Sequence, residues 1–305
     1  MEKINYQGWP NCYRLANDND IVDVIVTTDV GPRIIRFGFV GEENEFKEYA
    51  ELVGKTGGDE WRLYGGHRLW HAPEVKPRTY FPDNAPVQIE EHPGFVRLIQ
   101  DVETTTDIQK EIDIYLATDE ARVKVTHRLR NTGMWAVQLA PWSPSVLTTG
   151  GVAIIPLPPR GSHDELLLPT NTLTLWAYTD MSDPRWTWGE KYILLRQDTK
   201  AKNPQKIGAM VPDGWIAAVR NNHLFVKKYT YVAGADYTDL NSSVEVFTNS
   251  EMLELETLAP FAPLPPGAEV EHTEHWFLFR DVPMPAGDAD VDKHVLPKVQ
   301  AAQPR

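Results

Sequence analysis

The stretches IQKEIDIYLA (residues 108–117) and RVKVTHRLRN (residues 122–131) decide the fold, because each alternates apolar with polar side chains. Alternation with period two is typical of a strand with one buried and one exposed face. The same pattern recurs along most of the chain. Further examples are DIVDVIVTTDV (20–30), RIIRFGFV (33–40), VRLIQDVETT (96–105), KYILLRQD (191–198), WIAAVRNNHLFVKKYTY (215–231), SVEVFTN (243–249), MLELETL (252–258) and EHTEHWFLFR (271–280).

Helical periodicity is almost absent between these strands, which argues against parallel βαβ units. The sequence therefore predicts an all-β fold with a large antiparallel architecture. We expect helix only near EFKEYAEL (45–52) and in DADVDKHVLPKVQ (288–300). Turn signals are evenly spread and no long linker interrupts them. One domain over residues 1–282 is expected, followed by a tail over 283–305 that is a short helix or extended.

Charge and composition exclude several classes of partner. The formal net charge is -13 and no basic block occurs, so the chain is expected to repel nucleic acid and anionic lipid. No apolar run is long enough to span a membrane. The single cysteine, Cys12, excludes an intramolecular disulfide. The start lacks a secretory signal and predicts a cytoplasmic protein, although a processed secreted or periplasmic form would look the same. Monomer and homodimer both stay open.

The stretch YGGHRLWHAPE (64–74) carries the first candidate site. His67 and His71 are four residues apart, the spacing of a helical metal pair. However, the flanking glycines and proline leave no room for a helix, and four extended residues span ~13 Å. We therefore expect no metal and no other cofactor. The stretch is interpreted either as a glycine-hinged pocket loop with Arg68 as a donor and a histidine as acid or base, or as an ordinary turn.

Two further stretches carry polar candidates. In MLELETLAPFAPLPPG (252–267), Glu254 and Glu256 share one face of a strand, ~6.6 Å apart at the backbone, and do not flank a bond as a glycosidase pair does. Either is a candidate general base or a partner for an arginine such as Arg68. The loop YTDMSDPRWTWGEKY (178–192) forms a pocket rim or a plain connection held by an Asp–Arg pair. Tryptophans beside polar groups, including Trp61 and Trp142, suit sugar rings.

Several motifs together resemble the galactose mutarotase-like, or aldose 1-epimerase-like, superfamily, and most closely its DUF4380 branch. The likeness runs over most of residues 20–280. The motifs are VGPRIIRFGF (30–39), GGHRLWHAPE (65–74), PDNAPV (82–87), PW before GG (141–151), QKIG (205–208) and LELETLAPFAPLPPGAEVEHTEHWFL (253–278). The resemblance implies a large antiparallel β-supersandwich that binds a sugar in an open cleft.

In this superfamily a late glutamate takes the anomeric proton, and a histidine on a central strand protonates the ring oxygen. Glu256 matches the base. At the place of the acid this chain reads LAPWSPSV (139–146), with Trp142 near the expected histidine. The resemblance thus implies either that His67 or His71 supplies the acid, or that the cleft serves another sugar reaction or binding alone.

The sequence therefore predicts a carbohydrate-active protein with acid–base chemistry at or near an anomeric centre, with Glu256 as base and His67 as acid. The expected ligand is a small or oligomeric carbohydrate. Likeness to the glucose-6-phosphate epimerase-like branch adds an anionic sugar as a candidate. The alternatives are a non-catalytic carbohydrate-binding protein, and a polysaccharide lyase or glycoside hydrolase. The expected substrate-binding residues are Arg68, Trp70, His71, Glu74, Trp142 and Arg185, and the candidate partners for an anion are Arg33, Arg36, Arg68 and Arg185.

Overall fold

The computed structural model describes residues 1–19 and 21–304. The described chain forms two large antiparallel sheets, which confirms the predicted all-β class and antiparallel sandwich. Asp20, at the start of a predicted strand, and Arg305, in the predicted tail, lie outside the described residues.

The strands are β1 Glu2–Tyr6, β2 Trp9–Ala16, β3 Val22–Thr27, β4 Arg33–Phe39, β5 Gly66–Arg68, β6 Trp70–Ala72, β7 Gln88–His92, β8 Phe95–Ile99, β9 Ile108–Leu116, β10 Arg122–Asn131, β11 Val137–Leu147, β12 Val152–Pro156, β13 Leu173–Leu175, β14 Trp186–Trp188, β15 Tyr192–Arg196, β16 Gln205–Ala209, β17 Trp215–Arg220, β18 His223–Tyr229, β19 Val244–Thr248, β20 Leu253–Leu258, β21 Ala262–Leu264 and β22 Glu269–Phe279. The short helical segments are α1 Thr238–Asn241, α2 Asp288–Asp290 and α3 Leu296–Ala301, with a π-helical turn Val291–Val295 before α3.

The first sheet has twelve strands in the order β1-β2-β3-β4-β5-β11-β20-β19-β16-β13, and β6 and β21 also pair with β11. The second sheet has ten strands in the order β14-β15-β12-β17-β18-β22-β10-β9-β8-β7. The main core lies between the sheets, because alternate side chains of each strand point inward. Phe37 of the first sheet contacts Trp276 of the second, with ring centroids 5.6 Å apart.

Strand β11 holds the middle of the first sheet, with β5 and β6 on one side and β20 on the other. The preceding glycines allow β5 to approach closely. Gly65 and Gly66 have φ of +82° and +69°, and a Cβ on them would lie 2.0 Å from the Lys47 carbonyl oxygen and 2.3 Å from that of Ile34. A residue with a side chain does not fit here, so the pair of glycines fixes the path of the chain.

Of the two segments expected to be helical, one is irregular and the other is helical. Residues 45–52 are irregular, so the helix predicted there is wrong; Phe46 and Glu48 instead form isolated bridges to Leu147 and Gly65. The tail is helical from Asp288 to Ala301 and packs apolar side chains against the outer face of the second sheet. Within the described residues, no helix is both long and apolar enough to cross a membrane.

Candidate functional site

Strand β20 presents two carboxylates on the outer face of the first sheet. Leu253 and Leu255 point into the core between the sheets, so Glu254 and Glu256 point the other way. Both glutamates line a cavity of about 390 Å³, a volume typical of small-molecule sites. We call this cavity the cleft. Its polar and aromatic lining residues are Trp61, Arg68, Trp70, Glu74, Tyr80, Trp142, Tyr178, Lys206, Phe247, Glu254 and Glu256.

Glu256 lies at the floor of the cleft and is 1% exposed. Its Oε2 accepts hydrogen bonds from the indole Nε1 of Trp142 at 2.7 Å and from Nζ of Lys206 at 3.3 Å. Among the described residues, its Oε1 has no hydrogen-bond partner. A buried polar atom without a partner is uncommon and costly. One oxygen of Glu256 is therefore held in place while the other is free to accept a proton or a hydrogen bond from a ligand.

Each cation of the cleft already contacts a carboxylate. Nη1 of Arg68 donates to Oε1 of Glu254 at 3.0 Å, and Nζ of Lys206 lies 2.6 Å from Oε2 of Glu245 on β19. Burial raises the pKa of Glu254 although Arg68 opposes this, and burial raises the pKa of Glu245 well above its ordinary value against the effect of Lys206. Burial alone would lower the pKa of Lys206, but Glu245 and Glu256 raise it.

Aromatic rings form the walls. The ring centroids of Trp61, Tyr80 and Trp142 lie 5.3, 5.1 and 5.1 Å from that of Trp70. The guanidinium of Arg68 lies 4.3 Å from the Trp70 centroid. Contiguous rings beside fixed polar groups suit a ligand with an apolar face and hydroxyls at its edge.

His67 does not line the cleft, so its expected placement opposite Glu256 is wrong. It is fully buried between the sheets, because it precedes Arg68 on strand β5 and neighbouring residues of a strand face opposite sides. Its Nδ1 is 2.9 Å from Oγ of Ser145, and its Nε2 is 2.6 Å from Nε2 of His127. Burial lowers the pKa of His67 well below its ordinary value, so the ring is neutral.

We call the buried group around His67 the inner network. His127 donates from Nδ1 to the His272 carbonyl, which leaves its Nε2 to accept from His67. Glu274 accepts from Thr257 at 2.5 Å and Trp276 at 2.7 Å and pairs with Lys227 at 2.7 Å. The ligand atoms of His67, His127 and Glu274 lie within 4.8 Å of one another, close enough for one metal ion. Their existing partners satisfy them without one.

Some of the other predicted site residues line the cleft and others do not. Arg68, Trp70, Glu74 and Trp142 line the cleft with Glu256. His71 does not: it is fully buried, and its Nε2 is 3.3 Å from Glu103.

Arg185, expected near the ligand, also lies outside the cleft lining. It pairs with Asp183 at 2.8 Å and donates to the Asn203 carbonyl at 2.6 Å. The stretch 178–192 thus combines both interpretations: Tyr178 at its start lines the cleft, and the rest is a connection held by the Asp183–Arg185 pair.

The sequence analysis missed Lys206, Tyr80 and Tyr178 as lining residues, and Glu245 behind Lys206. Lys206 lies in the QKIG motif and Glu245 in SVEVFTN, so both are charged residues inside strands. A charge in a buried strand needs a partner, which is a usable signal. Nothing local indicates that these two residues are partners, since they meet only through the pairing of β16 with β19.

No family model and no curated protein sequence matches the chain. Among solved structures, a galactose mutarotase-like protein from Lactobacillus casei ATCC 334 superposes with a TM-score of 0.55 at 8% identity, over 88% of this chain and 100% of the other. The chain has the galactose mutarotase-like fold.

Two further structures share the galactose mutarotase-like fold. One is a candidate aldose 1-epimerase from Escherichia coli K12, with a TM-score of 0.52 at 12% identity over 88% and 99% of the two chains. The other is a galactose mutarotase related enzyme from Lactobacillus acidophilus, with a TM-score of 0.54 at 9% identity over 88% and 98%. At these identities the likeness establishes the fold, and the narrower likeness to the DUF4380 branch stays a prediction.

Proposed function

We propose that the cleft binds an uncharged sugar and carries out acid–base chemistry at its anomeric carbon, with Glu256 as the base. The observation that carries this proposal is the free Oε1 of Glu256, buried at the floor of an aromatic cleft. The galactose mutarotase-like fold supports it, because structures with this fold include proteins named as mutarotase-like or as candidate aldose 1-epimerases.

The cleft suits a sugar in two ways. Trp61, Trp70 and Tyr80 offer ring faces for the apolar face of a pyranose. Glu74 at the rim and Glu256 at the floor accept hydrogen bonds from hydroxyl groups. The ligand is then held by its face and by its edge, which fixes the position of the anomeric hydroxyl.

An uncharged sugar fits better than the anionic one considered from the sequence. Arg68 and Lys206 are the cations lining the described part of the cleft, and both already pair with buried carboxylates. The other candidate arginines pair elsewhere: Arg33 with Asp83 and Arg36 with Asp23. A phosphate or uronate would add negative charge to a cleft floor where two cations already face three buried carboxylates, and it would have no cation of its own.

The proposed step uses the two oxygens of Glu256 differently. Oε2 stays with Trp142 and Lys206, and Oε1 takes the proton of the anomeric hydroxyl. Loss of this proton forms the carbonyl at C1 while the bond to the ring oxygen breaks, and the ring oxygen takes a proton from an acid. Rotation and closure give the other anomer, and both protons return.

The test begins with a thermal-shift screen of neutral, phosphorylated, uronic and amino sugars, followed by anomer-exchange NMR on each sugar that stabilises the protein. We expect Glu256→Gln to slow exchange at least about 100-fold and to keep sugar affinity. Glu91→Gln, on an exposed residue of β7, is the matched control and should leave exchange unchanged. Unchanged exchange in Glu256→Gln would remove Glu256 as the base.

A second candidate function is sugar binding without chemistry. It is favoured by the placement of the histidines, since none in the described chain lines the cleft. It predicts stabilisation by a sugar together with anomer exchange at the uncatalysed rate. A lyase or hydrolase function is less well supported, because Glu254 and Glu256 lie side by side on one strand and do not face each other across a bond.

A further inference from the structure

The proposed chemistry needs an acid, and the cleft has no histidine among its described lining residues. We infer that Lys206 is the proton donor, in the role that the sequence resemblance gives to a histidine on the central strand. This inference rests on the proposed function and names the second catalytic residue of the same site.

Lys206 is placed to serve both the base and a ligand. It lies on β16, is 5% exposed and lines the cleft. Its Nζ is 2.6 Å from Glu245 on the adjacent strand β19 and 3.3 Å from Glu256 on β20, the strand beyond it. An ammonium group has three N–H bonds, and Lys206 donates one of them to Glu256 beside its ion pair with Glu245. Donor capacity is therefore left for an oxygen of a ligand that also contacts Glu256.

The charges at the cleft floor do not balance. Arg68 and Lys206 face three buried carboxylates, those of Glu245, Glu254 and Glu256. An uncompensated buried charge is costly, so one carboxyl group keeps a proton. Glu245 is the best placed to keep it, because it lies behind Lys206, outside the cleft lining, and burial raises its pKa well above the ordinary value. Lys206 then faces one ionised carboxylate, Glu256.

This arrangement couples the two proton transfers. While Glu256 is ionised, its negative charge stabilises the ammonium form of Lys206. When Oε1 of Glu256 takes the anomeric proton, that stabilisation disappears, and Lys206 becomes a stronger acid at the moment when the ring oxygen needs a proton. The bond between C1 and the ring oxygen breaks, the C1 carbonyl forms, and the Nζ proton moves to the ring oxygen. Ring closure reverses every step, so protons and charge balance.

The other donors of the cleft are less suitable. Arg68 does not release a proton, because a guanidinium stays charged in proteins. The remaining donors are the phenols of Tyr80 and Tyr178, and the hydroxyl of Tyr80 already donates to Glu74. Neither phenol contacts Glu256 in the way that Lys206 does, and therefore neither is coupled to the base.

The test compares Lys206→Ala and Lys206→Arg with wild type by anomer-exchange NMR, at saturating and at low sugar concentration. We expect kcat to fall at least about 100-fold in both variants while KM changes little. Methylamine in the buffer should restore exchange to Lys206→Ala in proportion to its concentration, which a purely structural role of Lys206 would not produce. Lys206→Arg keeps the positive charge beside both carboxylates and guards against a folding defect. The matched control is Lys202→Ala, an exposed residue of the loop that leads into β16.

The outcomes separate this inference from the proposed function. If wild type exchanges a sugar and Glu256→Gln does not, but either folded Lys206 variant keeps its rate within a few-fold of wild type, the inference fails and the proposed function stands. If both Lys206 variants are slow but methylamine has no effect on Lys206→Ala, Lys206 is structural and the inference fails. If wild type exchanges no sugar that it binds, the proposed function fails, and the inference fails with it.

Discussion

The first sheet carries a buried polar group on each of its two faces, and the two groups differ in how completely they are paired. In the inner network, Lys227 pairs with Glu274 and donates to the Ser143 and Leu255 carbonyls, so one cation meets one carboxylate. On the cleft face, three carboxylates meet two cations and Oε1 of Glu256 has no partner in the described chain. Burial alone therefore does not identify a site; incomplete pairing is the better indicator.

The largest effect is expected from removing the cation of the inner network, where the buried charges are paired. Lys227→Met removes the cation that Glu274 pairs with and leaves two carbonyls without their donor. We expect the free energy of unfolding to fall by roughly 3–5 kcal/mol, measured by urea denaturation. The exposed Lys202→Met serves as control and should change it little. A loss below about 1 kcal/mol for Lys227→Met would show that the inner network is not tightly paired.

The next effect is a pH dependence that belongs to the inner network. Burial lowers the pKa of His127 to about 3, whereas in the unfolded chain it is ~6.5. Below pH 6.5 the unfolded chain binds a proton at this residue and the folded protein does not. The free energy of unfolding therefore decreases as the pH is lowered. At pH 5 this costs about 2 kcal/mol. In His127→Gln, the change in unfolding free energy between pH 7 and pH 5 should be smaller by that amount. An identical change in the variant and in wild type would contradict it.

A further effect has the opposite sign and belongs to the cleft face. The raised pKa of Glu245 means that the folded protein keeps a proton which the unfolded chain releases above its ordinary carboxyl pKa. Stability from this group is present at low pH and is lost as pH rises through the folded pKa. Glu245→Gln does not titrate, so between pH 5 and pH 8 it should lose less unfolding free energy than wild type. Glu91→Gln should follow wild type; a Glu245→Gln curve parallel to wild type would mean that Glu245 is ionised.

Much of the fold was predictable because period-two alternation is local. Strands β9, β10, β20 and β22 lie close to their predicted bounds, although both faces of β20 are buried. Strand β11 was placed only through the resemblance, since Pro141 and Pro144 interrupt the pattern of a central strand. The false helix over 45–52 arose because its apolar residues fit a helical spacing as well as an irregular one.

The site was predicted in part, and the error at His67 has a simple cause. Interpreting residues 64–74 as a loop allowed His67 and Arg68 to face the same side, whereas strand β5 forces neighbours to opposite sides. The ion pair of Arg68 with Glu254 was among the alternatives, because it needs only complementary charges. The partnership of Lys206 with Glu245 and Glu256 depends on which strands become neighbours, and no local pattern contains that information.

Strand β20 also has a consequence for how such a protein evolves. The side chains at its odd positions, 253, 255 and 257, point into the interior, and those at its even positions, 254 and 256, line the cleft. Substitutions at even positions leave the neighbouring interior contacts in place, because the two sets of side chains point to opposite sides of the strand. A one-residue insertion in this strand would exchange its two faces, and it would therefore disrupt both the interior contacts and the cleft. Divergence in this strand is therefore expected to proceed by substitution and not by changes in length.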